Sequence, residues 1–194
     1  MSILLLAGLG NPGREYASTR HNLGWVAIDA LARKHGLAWR AEPSFEAEIA
    51  RWDISPGNTR WLAKPLTFMN ESGRSVASLA RFYKIPPPQI AAVHDDLSFD
   101  LGRSKVSVGG SAAGHNGVAS LIEHLGEDFA RFRLGVGPKE PPGMDMKDFV
   151  LGRFSPEQLA IIDQKLDHYV AGLELLLVSG PDPAMNRINR KEAS

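Results

Sequence analysis

The side chains best suited to chemistry in this 194-residue sequence are a histidine, an aspartate and several asparagines. His21 stands just before a predicted helix, where an imidazole can take up a proton near neutral pH. Asp95 follows an apolar segment, and a carboxylate beside an imidazole fixes its tautomer and stabilises the imidazolium. The amides of Asn11, Asn70 and Asn116 can donate to a developing oxyanion and accept from a peptide N–H or a water. If the protein is a hydrolase, this set favours water as the nucleophile, with His21 as the base.

Each of these residues also has an ordinary structural explanation. A single histidine is commonly structural, and Asp95 suits a turn or a helix cap. Asn11 precedes a proline in a tight turn, Asn70 suits a helix N-cap, and Asn116 precedes a glycine, as in many turns. Spacing alone leaves the structural and the catalytic interpretation open.

The sequence lacks the residues that other classes of catalytic site require. The sequence has no cysteine, which excludes a thiolate nucleophile and a cysteine-based metal site. No serine stands in the G-x-S-x-G pattern of a nucleophile elbow. Successive side chains of His94, Asp95 and Asp96 point in alternate directions along a strand, and no second histidine has a ligand spacing. We therefore expect no metal.

Two glycine-rich segments resemble phosphate-binding motifs only in part. The segment Gly8–Gly13 fits G-x-G-x-x-G, but Pro12 interrupts it and no helix begins at once. The segment Gly109–Asn116 has His115-Asn116 where a P-loop requires Lys-Ser/Thr. It remains either a flexible connection or a loop that presents backbone N–H groups to an anion at a helix N-terminus.

Strands and helices alternate along the chain, which predicts a single α/β domain over residues 1–194 with helices on both faces of the sheet. Apolar runs predict the strands Ile3–Ala7, Phe45–Ile54, Arg60–Ala63, Ile90–His94, Lys105–Val108 and Phe132–Val136. Helical spacing predicts helices that begin near Asn22, Val76, Val118 and Ser155. The last has Ser155 as N-cap, then Pro156 and Gln158, and forms a C-terminal helix and tail at about 155–194. Ligands of such sheets bind at the carboxyl ends of strands, where the candidate residues lie.

The charges balance, with 22 Lys and Arg against 22 Asp and Glu. This argues against a protein that coats nucleic acid non-specifically, yet it allows a small basic patch such as the acid-free segment Arg103–Leu121. The apolar runs are far shorter than the ~20 residues of a membrane span. No basic residue precedes Arg14, which argues against a signal peptide. We expect a cytoplasmic protein without a membrane segment.

Several segments between Ile3 and Phe154 form an ordered set: Gly8–Tyr16 with Thr19–Gly24, Lys64–Gly73, His94–Leu97, Gly109–Gly117, Phe132–Gly137 and Phe149–Phe154. Together they resemble the signature blocks of bacterial peptidyl-tRNA hydrolases. The resemblance implies an esterase that releases the nascent peptide from the terminal ribose of a tRNA that has left the ribosome. It also implies a mixed sheet in a three-layer α/β/α fold, a monomer and no cofactor.

The resemblance also implies roles for individual residues. His21 is the base for the attacking water, and Asp95 keeps it basic and oriented. Asn11 matches the residue that distinguishes blocked peptidyl esters from free aminoacyl esters. Asn70 and Asn116 match residues that hold the peptide main chain and the water.

The implied tRNA contacts lie at aromatic and basic positions. Tyr16 and Phe68 match aromatic positions that line the site for the tRNA 3′ end. Lys105 and Arg133 match basic positions that meet phosphates of the acceptor stem. The segment Pro138–Met146 matches a mobile loop over the cleft. Ser107 stands where the family often has a second basic residue, which leaves the strength of acceptor-stem binding open.

Alternative functions remain open at this point. A relative that binds RNA without catalysis would keep the surface and lack turnover. An enzyme that uses nucleosides or phosphate would bind free nucleotides through the glycine-rich loops. An esterase for small N-acylated amino-acid esters would be insensitive to competition by uncharged tRNA.

Overall fold

A computed structural model describes residues 2–190 of the protein. Its strands are β1 (Leu5–Gly8), β2 (Arg40–Glu42), β3 (Ala47–Ser55), β4 (Asn58–Pro65), β5 (Ile90–Asp100), β6 (Ser104–Val108) and β7 (Ala130–Gly137). Its α-helices are α1 (Leu23–Lys34), α2 (Ser72–Phe82), α3 (Asn116–Leu125), α4 (Met146–Leu151), α5 (Pro156–Ser179) and α6 (Pro181–Ile188). No helix within this described part is long and apolar enough to cross a membrane.

The strands form one seven-stranded sheet in the order β2-β3-β4-β1-β5-β7-β6. The four central strands run parallel to one another, in the order β4, β1, β5 and β7. The outer strands β2, β3 and β6 pair antiparallel, so the sheet is mixed. Because parallel strands end at the same edge, the loops after β1, β4 and β5 converge there.

The helices cover both faces of the sheet, which confirms the expected α/β fold. Leu6 packs into the apolar cluster formed with α1, α5 and α6, whereas Leu5 and Ala7 pack into the cluster formed with α2 and α3. This division follows from the alternation of side chains along β1. Burial of apolar surface in both clusters fixes the register of the central strands.

The C-terminal region, predicted as a helix and tail at about 155–194, contains two helices. The predicted start is confirmed, because the Ser155 hydroxyl accepts from the Gln158 N–H at 3.3 Å and the Gln158 side chain accepts from the Ser155 N–H. Helix α5 ends at Ser179 and is followed by Gly180, whose φ of 86° suits glycine, and Pro181 starts α6. Residues 191–194 of the predicted tail lie outside the described part.

Strand β5 is longer than predicted, and this changes the setting of Asp95. The prediction ends the strand at His94, but β5 pairs with β7 through Asp96 and again at Asp100. Asp95 therefore lies inside a hydrogen-bonded strand rather than in the turn after it. A central strand holds its side chain in a fixed direction.

Candidate active site

A cleft of about 690 Å³ opens at the carboxyl ends of the central strands. The loops after β1 and β4 contribute to its walls, as do residues 94–98 of β5, the loop before α3, and the starts of α3 and α4. Most of the predicted site residues line it, namely Asn11, His21, Phe68, Asn70, Asp95 and Asn116. Tyr16, Lys105 and Arg133 lie outside this lining.

Asp95 and His21 form a buried hydrogen-bonded pair, with 2% and 6% of their surfaces exposed. The His21 Nδ1 lies 3.0 Å and 3.1 Å from the two carboxylate oxygens of Asp95. Because an ionised carboxylate only accepts, Nδ1 donates and the lone pair of His21 is on Nε2. Burial alone would raise the pKa of Asp95, but the neighbouring His115 and His21 hold that pKa well below its usual range.

A second imidazole, which the sequence analysis missed as a functional residue, also contacts Asp95. The His115 Nε2 lies 2.9 Å from the Asp95 Oδ1. The His115 Nδ1 accepts from the N–H groups of Gly117 and Val118, at 3.1 Å and 3.3 Å, and so caps α3. Because Nδ1 accepts, the ring proton is on Nε2 and is donated to Asp95. Asp95 is thus held by two donors.

The His21, Asp95 and His115 ligand atoms lie within 4.8 Å of one another, which is close enough to consider a metal. A metal would need the lone pair of the His115 Nε2, but the helix cap places a proton on that nitrogen. The donor set therefore favours a network that shares protons over a metal centre held by all of these residues.

Asn11 is oriented by backbone contacts on both sides. Its Oδ1 accepts from the Met69 N–H at 2.8 Å, which joins the loops after β1 and β4. Its own N–H donates to the Asn22 Oδ1, and the Asn22 Nδ2 donates to its carbonyl, each at 2.9 Å. Because the side-chain oxygen is used, Asn11 presents the donors of its amino group to the cleft.

The turn that carries His21 is anchored to the C-terminal half of the chain. Arg20 donates to the Phe149 carbonyl at 3.2 Å and to the Gln158 side chain at 3.1 Å. Its guanidinium also lies 4.3 Å from the centre of the Phe149 ring. These contacts connect the turn to α4 and α5, and they hold His21 in hydrogen-bonding position beside Asp95.

The glycine-rich segment Gly8–Gly13 allows close packing. This agrees with the sequence analysis, in which the segment does not meet the requirements of a dinucleotide-binding motif. A Cβ on Gly10 would lie 2.8 Å from the ring of Trp25. A Cβ on Gly24, at the start of α1, would lie 2.2 Å from the Val93 carbonyl oxygen. Helix α1 can therefore approach the sheet only where side chains are absent.

The second glycine-rich segment is held by a buried arginine. Arg131 donates to the Gly110 carbonyl, and to the Ser111 carbonyl at 2.5 Å. Two N–H groups at the start of α3 are already bound by His115. The arrangement therefore favours a structural connection between β6 and α3 over an anion site at the N-terminus of α3.

Several cleft residues are exposed to a ligand. Phe68 has 59% of its surface exposed and offers an apolar wall. Asn70 and Asn116 are exposed on the loop after β4 and at the start of α3. The segment Pro138–Met146 reaches the cleft with its last residues, Asp145 and Met146. Tyr16 lies in the turn before His21.

Basic residues stand beside the cleft on β6 and β7. Lys105 and Arg133 face each other in the antiparallel register. The Arg133 Nε donates to the Asp96 carboxylate at 2.8 Å, and Asp96 lines the cleft. The ring centre of Phe99 lies 5.6 Å from the Lys105 Nζ and 4.7 Å from the Arg133 guanidinium. A cationic surface therefore begins at the rim.

The buried imidazole of His94 makes the protein sensitive to acid. Burial, assisted by the nearby His115, lowers the pKa of His94 to about 3, from about 6.5 in an unfolded chain. Between these values the unfolded chain binds one more proton, so the free energy of unfolding falls as the pH is lowered. Asp95 and Asp96, whose pKa values are also lowered, add to this loss only below about pH 4.

We therefore expect urea unfolding to show a steady loss of stability between about pH 6.5 and 4.5. His94→Gln, which has no imidazole to protonate, is expected to lose less stability over the same interval, whatever its starting value. An equal loss in the wild type and in this variant would rule out His94 as the source.

Comparisons with known proteins point to one family. The sequence profile of the family described as "Peptidyl-tRNA hydrolase" matches residues 5–194. The chain is 42% identical over 192 residues to the peptidyl-tRNA hydrolase of Gloeobacter violaceus, covering 98% of this chain and 96% of that one. It is 44% identical over 188 residues to that of Mycobacterium tuberculosis strain H37Rv, covering 96% and 97%. The crystal structure of peptidyl-tRNA hydrolase from Acinetobacter baumannii matches with a TM-score of 0.89 at 38% identity, covering 98% and 96%.

Proposed function

The chain belongs to the peptidyl-tRNA hydrolase family, and on this premise we propose that it hydrolyses the ester between an N-blocked aminoacyl or peptidyl group and the 3′-terminal ribose of tRNA. The substrate is peptidyl-tRNA free of the ribosome, and the products are tRNA and peptide. The single observation that carries the proposal is the buried His21–Asp95 pair, which leaves the His21 Nε2 lone pair on the cleft side.

The proposed chemistry is a direct attack by water. The His21 Nε2 removes a proton as the water oxygen bonds to the ester carbonyl carbon. The tetrahedral intermediate then expels the ribose oxygen, which takes the same proton from the imidazolium. Asp95 stabilises the positive imidazolium, and the Nε2–H of His115 keeps that carboxylate in place. Each step balances without a metal, and we propose a metal-independent ester hydrolase.

Asn11 supports selectivity for a blocked amino group. Because its oxygen is bound by the Met69 N–H, its side chain offers only donors to the substrate. The carbonyl oxygen of a peptidyl or acetyl group accepts such a hydrogen bond. A protonated free amine is itself only a donor and cannot accept it. A free aminoacyl ester therefore leaves the Asn11 donors without a partner.

The remaining site residues are proposed as contacts for the substrate. Phe68 offers an exposed apolar surface for the terminal nucleotide, a role also proposed for Tyr16. Asn70 and Asn116 would bind the peptide main chain and position the water. We also propose that the protein acts as a monomer in the cytoplasm, where its tRNA substrate is used.

Competition by uncharged tRNA tests this function against the small-ester alternative. We expect rapid release of a labelled N-acetylaminoacyl group from tRNA, slow hydrolysis of the matching N-acetyl amino-acid ethyl ester, and inhibition of both by uncharged tRNA. Equal rates on the two esters without inhibition would instead identify a small-molecule esterase. Tight binding of tRNA without any hydrolysis would identify an RNA-binding relative.

Lys105→Ala is expected to weaken tRNA binding and to flatten its dependence on salt. Each phosphate contact that is lost reduces the slope of log K against log[salt] by about 0.7–0.9, because fewer counterions are released. Binding of uncharged tRNA at several salt concentrations measures this slope. Arg33→Ala is the matched control, since Arg33 is exposed at the end of α1 that points away from the cleft. An unchanged slope would exclude a phosphate contact at Lys105.

A further inference from the structure

We propose that His94, which takes no part in the proposed proton transfer, is a positioning residue that acts through His115 on the Asp95 carboxylate. The inference rests on the proposed function, because it concerns the support of the base His21. His94 holds the second imidazole in place, so that Asp95 keeps both of its donors and stays directed at His21.

His94 and Asp95 are neighbours on β5, so their side chains point to opposite faces of the sheet. Ala92 packs into the apolar cluster formed with α2 and α3, whereas Val93 packs into the cluster formed with α1 and α5. By the same alternation His94 faces the side of α3, and Asp95 faces the side of α1. His115 lies just before α3 and contacts both of them.

The ring of His94 packs against the ring of His115. The two ring centres lie 4.8 Å apart and the ring planes meet at 71°, which is an edge-to-face arrangement. His115 is hydrogen-bonded at both nitrogens, but hydrogen bonds tolerate a range of angles, so these bonds alone leave the ring some freedom to tilt. The neighbouring ring of His94 limits this tilt.

The ring of His94 is itself fixed to the strand. Its Nδ1 lies 2.8 Å from the Asp95 carbonyl oxygen. Because a carbonyl oxygen only accepts, the proton of the neutral ring is on Nδ1. Only 4% of the surface of His94 is exposed. The ring is therefore held between the backbone of Asp95 and the ring of His115.

The other ring nitrogen indicates that His94 is kept for these two contacts. Its Nε2 is buried and has no hydrogen-bond partner among the described residues. A buried acceptor without a partner lowers the stability of a fold. An apolar side chain would fill the same space without this cost, but it would not supply an aromatic ring and an N–H donor together.

The arrangement also requires that His94 stays uncharged. A positive ring beside His115 would attract the Asp95 carboxylate and oppose the formation of the His21 imidazolium. Burial, assisted by His115, lowers the pKa of His94 to about 3, and Asp95 and Asp96 on its own strand oppose this shift only in part. His94 is therefore neutral near neutral pH, where an imidazole serves as a base.

Two substitutions separate the ring of His94 from its donor. His94→Gln keeps a donor for the Asp95 carbonyl and removes the ring, whereas His94→Phe keeps a ring and removes the donor. We expect kcat on N-acetylaminoacyl-tRNA to fall about 10–100-fold in His94→Gln, as for a misplaced catalytic group, with an unchanged Kd for uncharged tRNA. His94→Phe should recover most of this loss. An equal or greater loss in His94→Phe would overturn the inference.

A double-mutant cycle tests whether His94 acts through His115. The second substitution is His115→Asn, because asparagine is a good N-cap and preserves the start of α3 while the bond to Asp95 is lost. In this background, His94→Gln should lower kcat by less than about twofold, since the contact on which it acts is already absent. The same loss in both backgrounds would contradict a role through His115.

Exchange of the His115 Nε2 proton with solvent gives a readout that needs no turnover. NMR of the protein with ¹⁵N-labelled imidazoles follows this proton. It should exchange faster in His94→Gln than in the wild type, because the bond from His115 to Asp95 then opens more often. An unchanged exchange rate in a folded variant would overturn the inference and leave the proposed hydrolysis intact.

His124→Gln is the matched control. The His124 Nδ1 also donates to a backbone carbonyl, that of Ser120, at 2.8 Å, but it does so at the other end of α3. This variant should keep the wild-type kcat and the wild-type exchange of the His115 proton, and an effect equal to that of His94→Gln would also overturn the inference. If the wild type does not cleave the acetylated ester, the proposed function fails, and the exchange rates still decide whether His94 holds His115.

Discussion

His21→Ala is expected to reduce kcat on N-acetylaminoacyl-tRNA by about 10²–10⁴-fold, the usual contribution of a general base. The substitution removes the nitrogen that we propose accepts the proton from water, while Asp95, Asn11 and Phe68 still line the cleft. Because the proposed tRNA contacts are made by other residues, the Kd for uncharged tRNA should stay close to the wild-type value. Single-turnover release of the labelled acyl group and tRNA binding measure the two effects separately.

His35→Ala is the matched control for this prediction. His35 stacks on Trp52 and hydrogen-bonds to Glu174 just beyond the far end of α1. Its removal should leave kcat unchanged. A His21→Ala protein that has a native circular dichroism spectrum and wild-type turnover would remove His21 from the role of base.

Asp95→Asn is expected to lower kcat by a comparable factor, about 10²–10⁴-fold. The Asp95 carboxylate accepts from both His21 and His115, but an amide there would turn its NH₂ toward one of the two rings. The cap of α3 fixes the proton of His115 on Nε2, so His21 is the ring free to change tautomer. Its Nδ1 would then accept, and its proton would move to Nε2, where the base is needed.

Steady-state kinetics across pH measure this loss, and Asp29→Asn is the control. Asp29 is an acid on α1 that pairs with Lys64, away from the cleft lining. The expected result is a low kcat for Asp95→Asn at every pH, because the wrong tautomer of a neutral ring is not repaired by titration. A near-wild-type kcat would show that Asp95 does not set the state of His21.

The sequence predicts those parts of the fold that depend on residues close together in the chain, such as buried strands and helix caps. Apolar runs mark the central strands because both of their faces are buried. The start of α5 is encoded by Ser155, Pro156 and Gln158, whose capping contacts all lie within one turn. Strand β2 and helix α4, with 3 and 6 residues, are too short to show a periodicity.

Other features depend on contacts between distant residues. The extension of β5 past His94 is set by pairing with β7, which a reading of one segment does not contain. The start of α6, in contrast, is marked by a local signal, since Pro181 directly after Gly180 suits the first position of a new helix, and the predicted helix and tail left α6 out.

The candidate site was likewise predictable in part from the sequence. Asn11, Asn70 and Asp95 line one cleft because parallel strands run toward the same edge of the sheet, which the alternation of elements predicts. His115 was missed as a functional residue because its importance lies in two simultaneous contacts, the cap of α3 and the bond to Asp95. A histidine is an uncommon N-cap, so its sequence position carried no signal for either contact.

The most direct test of the central claim is the release of a labelled aminoacyl group from tRNA by the wild-type protein, with the amino group either acetylated or free, in the presence of excess chelator. We predict rapid cleavage of the acetylated ester only, at a rate that the chelator does not change. Asn11→Ala should reduce the preference for the acetylated ester. Tight binding of tRNA without cleavage, equal cleavage of both esters, or loss of activity in chelator would contradict the account.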